Sequence, residues 1–226
     1  HAIAMMMALA RQIPQASWST KAGKWEKSRF MGAELTGKWL GLVGCGNIGL
    51  IVADRAQGLR MRVLGYDPFF SEENAKRLGI EKVDFEDLLR RADFITMHTP
   101  MNDSTRNIIN EDALNQTKKG VHIINCARGG LIDELALAGA LTNGHVAGAA
   151  LDVFANEPAI NNALFDYDNV VATPHLGAST IEAQEKVALQ VAKQMSDYLI
   201  TGTVTNALNI ASLSAEEEPI LRPYMD

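Results

Sequence analysis

Leu40-Gly41-Leu42-Val43-Gly44-Cys45-Gly46-Asn47-Ile48-Gly49 reads as an apolar strand that breaks into glycines and resumes as a helix. This is the pattern of the first strand, phosphate turn and helix start of a dinucleotide-binding unit. Gly44 permits the tight turn, Gly46 lets the backbone approach a pyrophosphate, and Gly49 lets the new helix pack closely on its strand. The N–H groups opening that helix, those of Asn47 and Ile48, then face phosphate oxygens with the helix dipole behind them. Glycine-rich turns are common, so the turn needs a second mark. Asp67 supplies it, eighteen residues after Gly49 at the end of the run Met61 to Tyr66. A carboxylate there can accept both hydroxyl protons of an adenine ribose and repels a 2′-phosphate. Pro68, Phe69 and Phe70 follow, with no basic side chain to hold that phosphate. The expected cofactor is NAD rather than NADP.

Outward from this turn, nearly continuous apolar runs alternate with amphipathic segments. Strands are expected at Trp39 to Val43, Arg62 to Tyr66, Phe94 to His98, Val121 to Asn125, Val146 to Leu151 and Val170 to Thr173. Their lack of polar alternation fits strands covered on both faces. Helices are expected near Ile48 to Gly58, Ser71 to Leu78, Phe85 to Ala92, Asn110 to Gln116 and Asp133 to Asn143. The alternation implies an α/β fold with a doubly wound parallel sheet, a Rossmann-type domain. A long helix from about Thr180 to Thr201 carries Val187, Val191, Met195 and Leu199 at four-residue steps. Residues 1–200 are read as one cofactor-binding domain with an N-terminal helix and arm, and 201–226 as a loosely held tail.

Upstream of the sheet, Ala2 to Ala10 is a strong helix former that is apolar on every side, so it needs cover all round. One face can lie on its own domain; a partner subunit, or a part of the protein outside this chain, would cover the other. Trp18, Trp25 and Phe30 follow on a polar arm after Pro14. Such aromatics suit either a protein–protein interface or a return onto their own domain. The chain opens at His1 inside this helix, as a piece of a longer protein would, and His1 is given no role.

The chain has 226 residues, 47% of them hydrophobic, enough to bury a sizeable core. Its net charge of −6 and the absence of a Lys/Arg block argue against nucleic acid or an anionic membrane as partner. No segment reads as a membrane span or a signal peptide. Cys45 and Cys126 share no CxxC spacing, so neither a disulfide framework nor a zinc site is expected, and a reducing cytoplasm fits. Cys45, beside a helix N-terminus, is either a small packing residue or a thiol open to redox control. His98, His122 and His145 have no metal-ligand spacing and are read as structural.

Polar residues collect after the strands. His98-Thr99-Pro100 follows one, Asn125-Cys126-Ala127-Arg128-Gly129-Gly130 the next, then Asp152 to Pro158, and finally Pro174-His175-Leu176-Gly177-Ala178-Ser179-Thr180. Ligands of open α/β sheets bind at those ends. Together GCGNIG, YDP, HTP, NCARGGLIDE, AALDVFANEP and PHLGAST resemble the D-isomer-specific 2-hydroxyacid dehydrogenases, from the opening helix to Val204-Thr205-Asn206-Ala207. FMGAELTGK, NCARGGLIDE and TPHLGAST resemble most the branch that oxidises 3-phosphoglycerate for serine biosynthesis. The resemblance implies that His175 is the acid/base, Glu157 its carboxylate partner, and Arg128 the group that holds the substrate carboxylate and polarises the reacting oxygen. Those types suit the task, because a carboxylate favours the charged form of an imidazole and a guanidinium fork grips a carboxylate in two places. It also implies that Asp152 binds the nicotinamide carboxamide and that Thr99, Cys126, Ala127, Gly177 and Ala178 line the cofactor.

The same family places a substrate-domain segment before the opening helix, and this chain lacks it. The chain is therefore expected to bind NAD but to catalyse poorly alone, and to pair as a homodimer through its opening helix and arm. Reductases of glyoxylate or hydroxypyruvate share these motifs, formate dehydrogenases share the fold, and corepressors use it as an NAD-sensitive binding module.

Overall fold

A computed structural model describes residues 1–205 of the chain. Two helices come first, the apolar α1 (Ala2–Ala10) and the more polar α2 (Ile13–Lys21). From there strands and helices alternate: β1 (Trp39–Val43), α3 (Asn47–Gly58), β2 (Arg62–Tyr66), α4 (Glu72–Arg77), β3 (Glu81–Lys82), α5 (Phe85–Arg91) and β4 (Phe94–Met97). The second half adds α6 (Glu111–Gln116), β5 (Val121–Asn125), α7 (Glu134–Thr142), β6 (Val146–Leu151), a 3-10 turn at Ala163–Asp166, β7 (Val170–Ala172) and α8 (Ile181–Thr201). All seven strands are parallel, in the order β3-β2-β1-β4-β5-β6-β7. The order reverses between β1 and β4, the point at which such sheets bind ligands.

Alternate strand residues feed two cores, one on each face. Leu40, Leu42, Val63, Phe94 and Ile124 pack with Met5, Met6, Val52 and Ala75, on the face covered by α1, α3 and α4. Val43, Leu64, Ile95, Ile123 and Leu151 pack with Leu88, Leu114 and Leu137, under α5, α6 and α7. Both faces being covered is why the strands are almost uniformly apolar. Short polar caps start the helices: Ser71 accepts from the Asn74 N–H, Asp84 from Asp87, Asn110 from Ala113, and Asp133 from both Leu135 and Ala136.

Four elements depart from the sequence reading. The arm after Pro14 is helical as α2, because proline at the start of a helix gives up an N–H that has no partner there anyway. Trp18 and Trp25 lie exposed on this arm, whereas Phe30 is half-buried with the Arg29 guanidinium over its ring. The edge strand β3 is only two residues long and has no apolar run to announce it. β4 and β7 each stop one residue short of the expected end.

α1 buries Met5, Met6, Leu9 and Ala10 and leaves Met7 exposed. One compact unit closes at Gly177 and a second starts at Ala178, whose described helix, α8, is capped at its start by the Thr180 hydroxyl. Most of the expected tail, from residue 206, lies outside the described residues. Among the described residues, no helix is long and apolar enough to cross a membrane and no His/Cys/Asp/Glu cluster could hold a metal.

Candidate active site

Tyr66, Val43, Met97, Asn125, Leu151 and Ala172 end their strands side by side in register. The loops after them therefore leave one edge of the sheet level with each other, about 4.8 Å apart from strand to strand. Residues distant in sequence meet here because the parallel topology sends every carboxyl end the same way.

At Gly44 the backbone turns with φ +99°, and a Cβ there would sit 2.6 Å from the His98 carbonyl oxygen. Thr99 lies just above this turn, its N–H nitrogen 3.0 Å from the same point. A Cβ at Gly49 would meet the Gly44 carbonyl at 2.2 Å, so helix and turn are in direct contact. Gly46 differs, for nothing lies within 4 Å of its absent side chain. No side chain caps α3, which leaves the N–H groups of its first turn, including Asn47 and Ile48, aimed at this open space. An open glycine and an uncapped helix start are what a pyrophosphate needs.

Asp67 closes the other end of this cradle. Its Oδ2 accepts from the Cys45 N–H at 2.8 Å and its Oδ1 from the Phe69 N–H at 2.8 Å. Each oxygen keeps a lone pair for a ribose hydroxyl. The Cys45 bond fixes the carboxylate to the phosphate turn and the Phe69 bond fixes its orientation in its own loop, so sugar and phosphate sites are built as one piece. The geometry fits a dinucleotide with a free 2′-hydroxyl.

Towards the other side of the sheet, in the loops after β6 and β7, His175 Nδ1 lies 2.7 Å from Glu157 Oε2. Glu157 Oε1 accepts from the Phe154 N–H at 3.0 Å. Hydrogen bonding to His175, then to Phe154, lowers the Glu157 carboxyl below its ordinary value of 4.5. An ionised Glu157 accepts a hydrogen bond from the Nδ1–H of His175, which selects the tautomer whose Nε2 is an acceptor. His175 has φ +56°, an uncommon conformation for a residue with a side chain. A cleft of about 550 Å³ runs along the pair, walled by Phe154, Pro158, Phe165 and Pro174. Arg128 is exposed on the neighbouring loop, its Nη1 donating to the Ala127 carbonyl at 2.6 Å.

Asp152 is fully buried between these loops. Its Oδ1 accepts from the Leu176 N–H at 2.7 Å and from the Thr173 hydroxyl at 2.5 Å, and its Oδ2 from the Gly177 N–H at 2.8 Å. It thus clamps the residues on the C-terminal side of His175. His1, to which the sequence reading gives no role, places Nε2 3.2 Å from both Asp152 Oδ1 and Thr173 Oγ1. Cys126 and Ala127 are half-buried at the start of the Arg128 loop. Ala178 opens the second unit, where its carbonyl accepts from Thr180.

The loops are tied by residues that periodicity does not reveal. Asn125, buried, donates to the Arg128 carbonyl and accepts from the Ala127 N–H, which shapes that turn. Gly129 lies against the next loop; a Cβ on it would fall 1.8 Å from the Phe154 carbonyl oxygen. Only the polar character of Asn125 at the end of an apolar run marks such a residue in sequence. Burial pushes the Cys45 and Cys126 thiols up to about 12, which disfavours the thiolate form. The remaining histidines are held inside the fold: His98 by Thr96, His145 by Thr117, and His122 stacked on Phe94. Burial lowers His98 to about 4, and His122 in the same direction.

Residues 3–177 match the NAD binding domain of the D-isomer specific 2-hydroxyacid dehydrogenases. The chain belongs to this family. NAD is accordingly its cofactor, in agreement with the open turn and Asp67. Relatives include D-3-phosphoglycerate dehydrogenase of Bacillus subtilis, 48% identical over 224 residues, covering 99% of this chain and 43% of the relative. The Homo sapiens protein of the same name is 47% identical over 221 residues, covering 98% of this chain and 42% of the relative. The chain thus spans less than half the length of these relatives. Among solved structures, a glyoxylate reductase from Paecilomyes thermophila superimposes with TM-score 0.86 at 34% identity, over 92% of this chain and 63% of that one. D-lactate dehydrogenase from Aquifex aeolicus, solved with NAD and lactic acid, gives 0.80 at 29% identity, over 88% and 65%.

Proposed function

We propose that the full-length protein oxidises a D-2-hydroxy acid with NAD, converting 3-phosphoglycerate to 3-phosphohydroxypyruvate in serine biosynthesis. The observation that carries the reaction class is the 2.7 Å contact between His175 Nδ1 and Glu157 Oε2, beside a cradle suited to NAD. The substrate rests on likeness to D-3-phosphoglycerate dehydrogenases at 47–48% identity. When bound, NAD accepts the hydride from the substrate carbon. His175 Nε2 takes the hydroxyl proton, and Glu157 supports the imidazolium that results. Arg128 grips the substrate carboxylate once its exposed guanidinium swings off the Ala127 carbonyl, a bond that a carboxylate replaces with two. Asp152, fully buried, holds Leu176 and Gly177, so that His175 keeps its approach to the substrate.

The likeness to a glyoxylate reductase at TM-score 0.86 favours a second reading, reduction of glyoxylate or hydroxypyruvate by the same residues run in reverse. A substrate screen on the full-length protein separates the two. The highest kcat/KM is expected with 3-phosphoglycerate and NAD; a higher value for glyoxylate or hydroxypyruvate with NADH establishes the second reading. Turnover of none of them, with NADH still bound, would point instead to an NAD-sensitive binding module of the corepressor kind.

The 226-residue chain by itself is expected to bind NADH, read by fluorescence titration, and to turn over 3-phosphoglycerate far more slowly than the full-length protein. Comparable rates in a steady-state assay would overturn this expectation.

A further inference from the structure

The loop that carries Glu157 leaves β6 at Asp152 and does not rejoin regular structure until the 3-10 turn at Ala163. Two of its donors converge on one side chain. Glu134 Oε1 accepts from the Ala155 N–H at 2.7 Å, and Glu134 Oε2 accepts from Asn162 Nδ2 at 2.7 Å. Ala155 and Asn162 flank Glu157, so one carboxylate staples the excursion at both ends. Asn162 is itself fixed, because its Oδ1 accepts from the Leu164 N–H at 2.9 Å. Glu134 is the first residue of α7, where the helix dipole favours a negative charge and the neighbouring Asp133 has already satisfied the cap.

The staple also reaches the third member of the site. Arg128, Gly129 and Glu134 stand within one stretch, Asn125-Cys126-Ala127-Arg128-Gly129-Gly130-Leu131-Ile132-Asp133-Glu134. Near its start, Gly129 lies on the Phe154 carbonyl; at its end, Glu134 takes the next N–H, that of Ala155. The segment that presents Arg128 therefore holds both sides of a single peptide group of the Glu157 loop, Gly129 against the Phe154 carbonyl and Glu134 on the Ala155 N–H. We propose that Glu134 is a positioning residue for catalysis, which acts through Glu157 by fixing the height and direction of its carboxylate beneath His175. This deepens the dehydrogenase reading and rests on it.

The test uses the full-length protein and the variants Glu134→Ala, Glu134→Gln, Glu157→Gln and Glu134→Ala with Glu157→Gln. Glu134→Ala should lower kcat with 3-phosphoglycerate by about 10- to 100-fold, the size of effect that follows small misplacement of a reacting group. Substrate KM and NADH Kd should stay within about twofold, since neither cradle is touched. Because the effect passes through Glu157, the double variant should be no slower than Glu157→Gln within about twofold. Glu134→Gln keeps an oxygen for the Ala155 N–H and should recover part of the rate. Independently of turnover, Glu134→Ala should speed amide hydrogen exchange at Phe154 and Ala155 relative to the sheet.

Losses that multiply in the double variant would overturn the proposal, as would unchanged kcat or unchanged exchange at Ala155. If Glu134→Ala fails to fold, Glu134→Gln decides by the same cycle. If the unaltered protein oxidises no D-2-hydroxy acid, the dehydrogenase reading fails, and the staple is then judged by exchange at Ala155 alone.

Discussion

Glu157 stays charged at the mouth of the cleft because His175 donates to one of its oxygens and the Phe154 N–H to the other. Its carboxyl titrates below 4.5 in the folded protein, so the ionised form stabilises the fold above that pH. That contribution is lost as pH falls through the lower folded value. Glu157→Gln removes it. Thermal melts between about pH 5 and about pH 3 should therefore show a shallower fall in Tm for the variant than for the unaltered protein; parallel curves would show that the pair is not linked to stability. Asp67 is the second residue whose chemistry can be read alone. Replacing it by Ala removes an acceptor for two ribose hydroxyls and frees the N–H groups of Cys45 and Phe69. Hydrogen bonds to a charged group contribute about 1.5–3 kcal/mol, so the NADH Kd should rise by about ten- to a hundredfold while discrimination against NADPH relaxes. Fluorescence titration with both cofactors checks it, and unchanged affinity for both would remove Asp67 from the site.

At the scale of elements, the site is a set of loops held against each other rather than a set of side chains on one helix. Asp152 ties β6 to the loop after β7, Gly129 lies on the loop after β6, and Glu134 reaches from α7 to the same loop. Gly129→Ala tests this directly, since a methyl group would fall 1.8 Å from the Phe154 carbonyl oxygen, which is backbone and cannot swing aside. The variant should lose about 1–3 kcal/mol of stability in urea denaturation, the usual range for overpacking, and kcat should fall because the Arg128 and Glu157 loops separate. Unaltered stability and kcat would mean that the two loops move apart freely. α3 illustrates the opposite arrangement. Its start has no side-chain cap, in contrast with α4, α5, α6 and α7, and the groups left without partners are the ones a pyrophosphate would satisfy.

At the scale of the whole molecule, Ile13, Trp18, Trp25 and Met31 leave the arm with large apolar surface facing water, and Met7 of α1 is exposed as well. Large apolar side chains exposed to water favour association. Sedimentation at micromolar concentration should therefore give the mass of two chains, and Trp18→Asp with Trp25→Asp should shift it to one; a monomer in the unaltered chain would refute the dimer. Local sequence was enough for the central architecture, because alternating apolar runs, glycine spacing and polar caps act within a few residues. The strands from β1 to β7, apart from β3, and the helices α3 to α8 were legible for that reason. β3 and α2 were not, one because its two residues are set by pairing with β2, the other because its aromatics resembled an arm. By itself the sequence determined an α/β sheet with a dinucleotide turn, an acid at the ribose and polar residues after its strands. Only the tertiary structure decided what those residues touch. Asp152 faces Leu176 and Gly177, Glu134 staples the Glu157 loop, and His1 reaches Asp152, contacts that span from about twenty to more than a hundred residues of chain and arise because parallel strands end level at one edge.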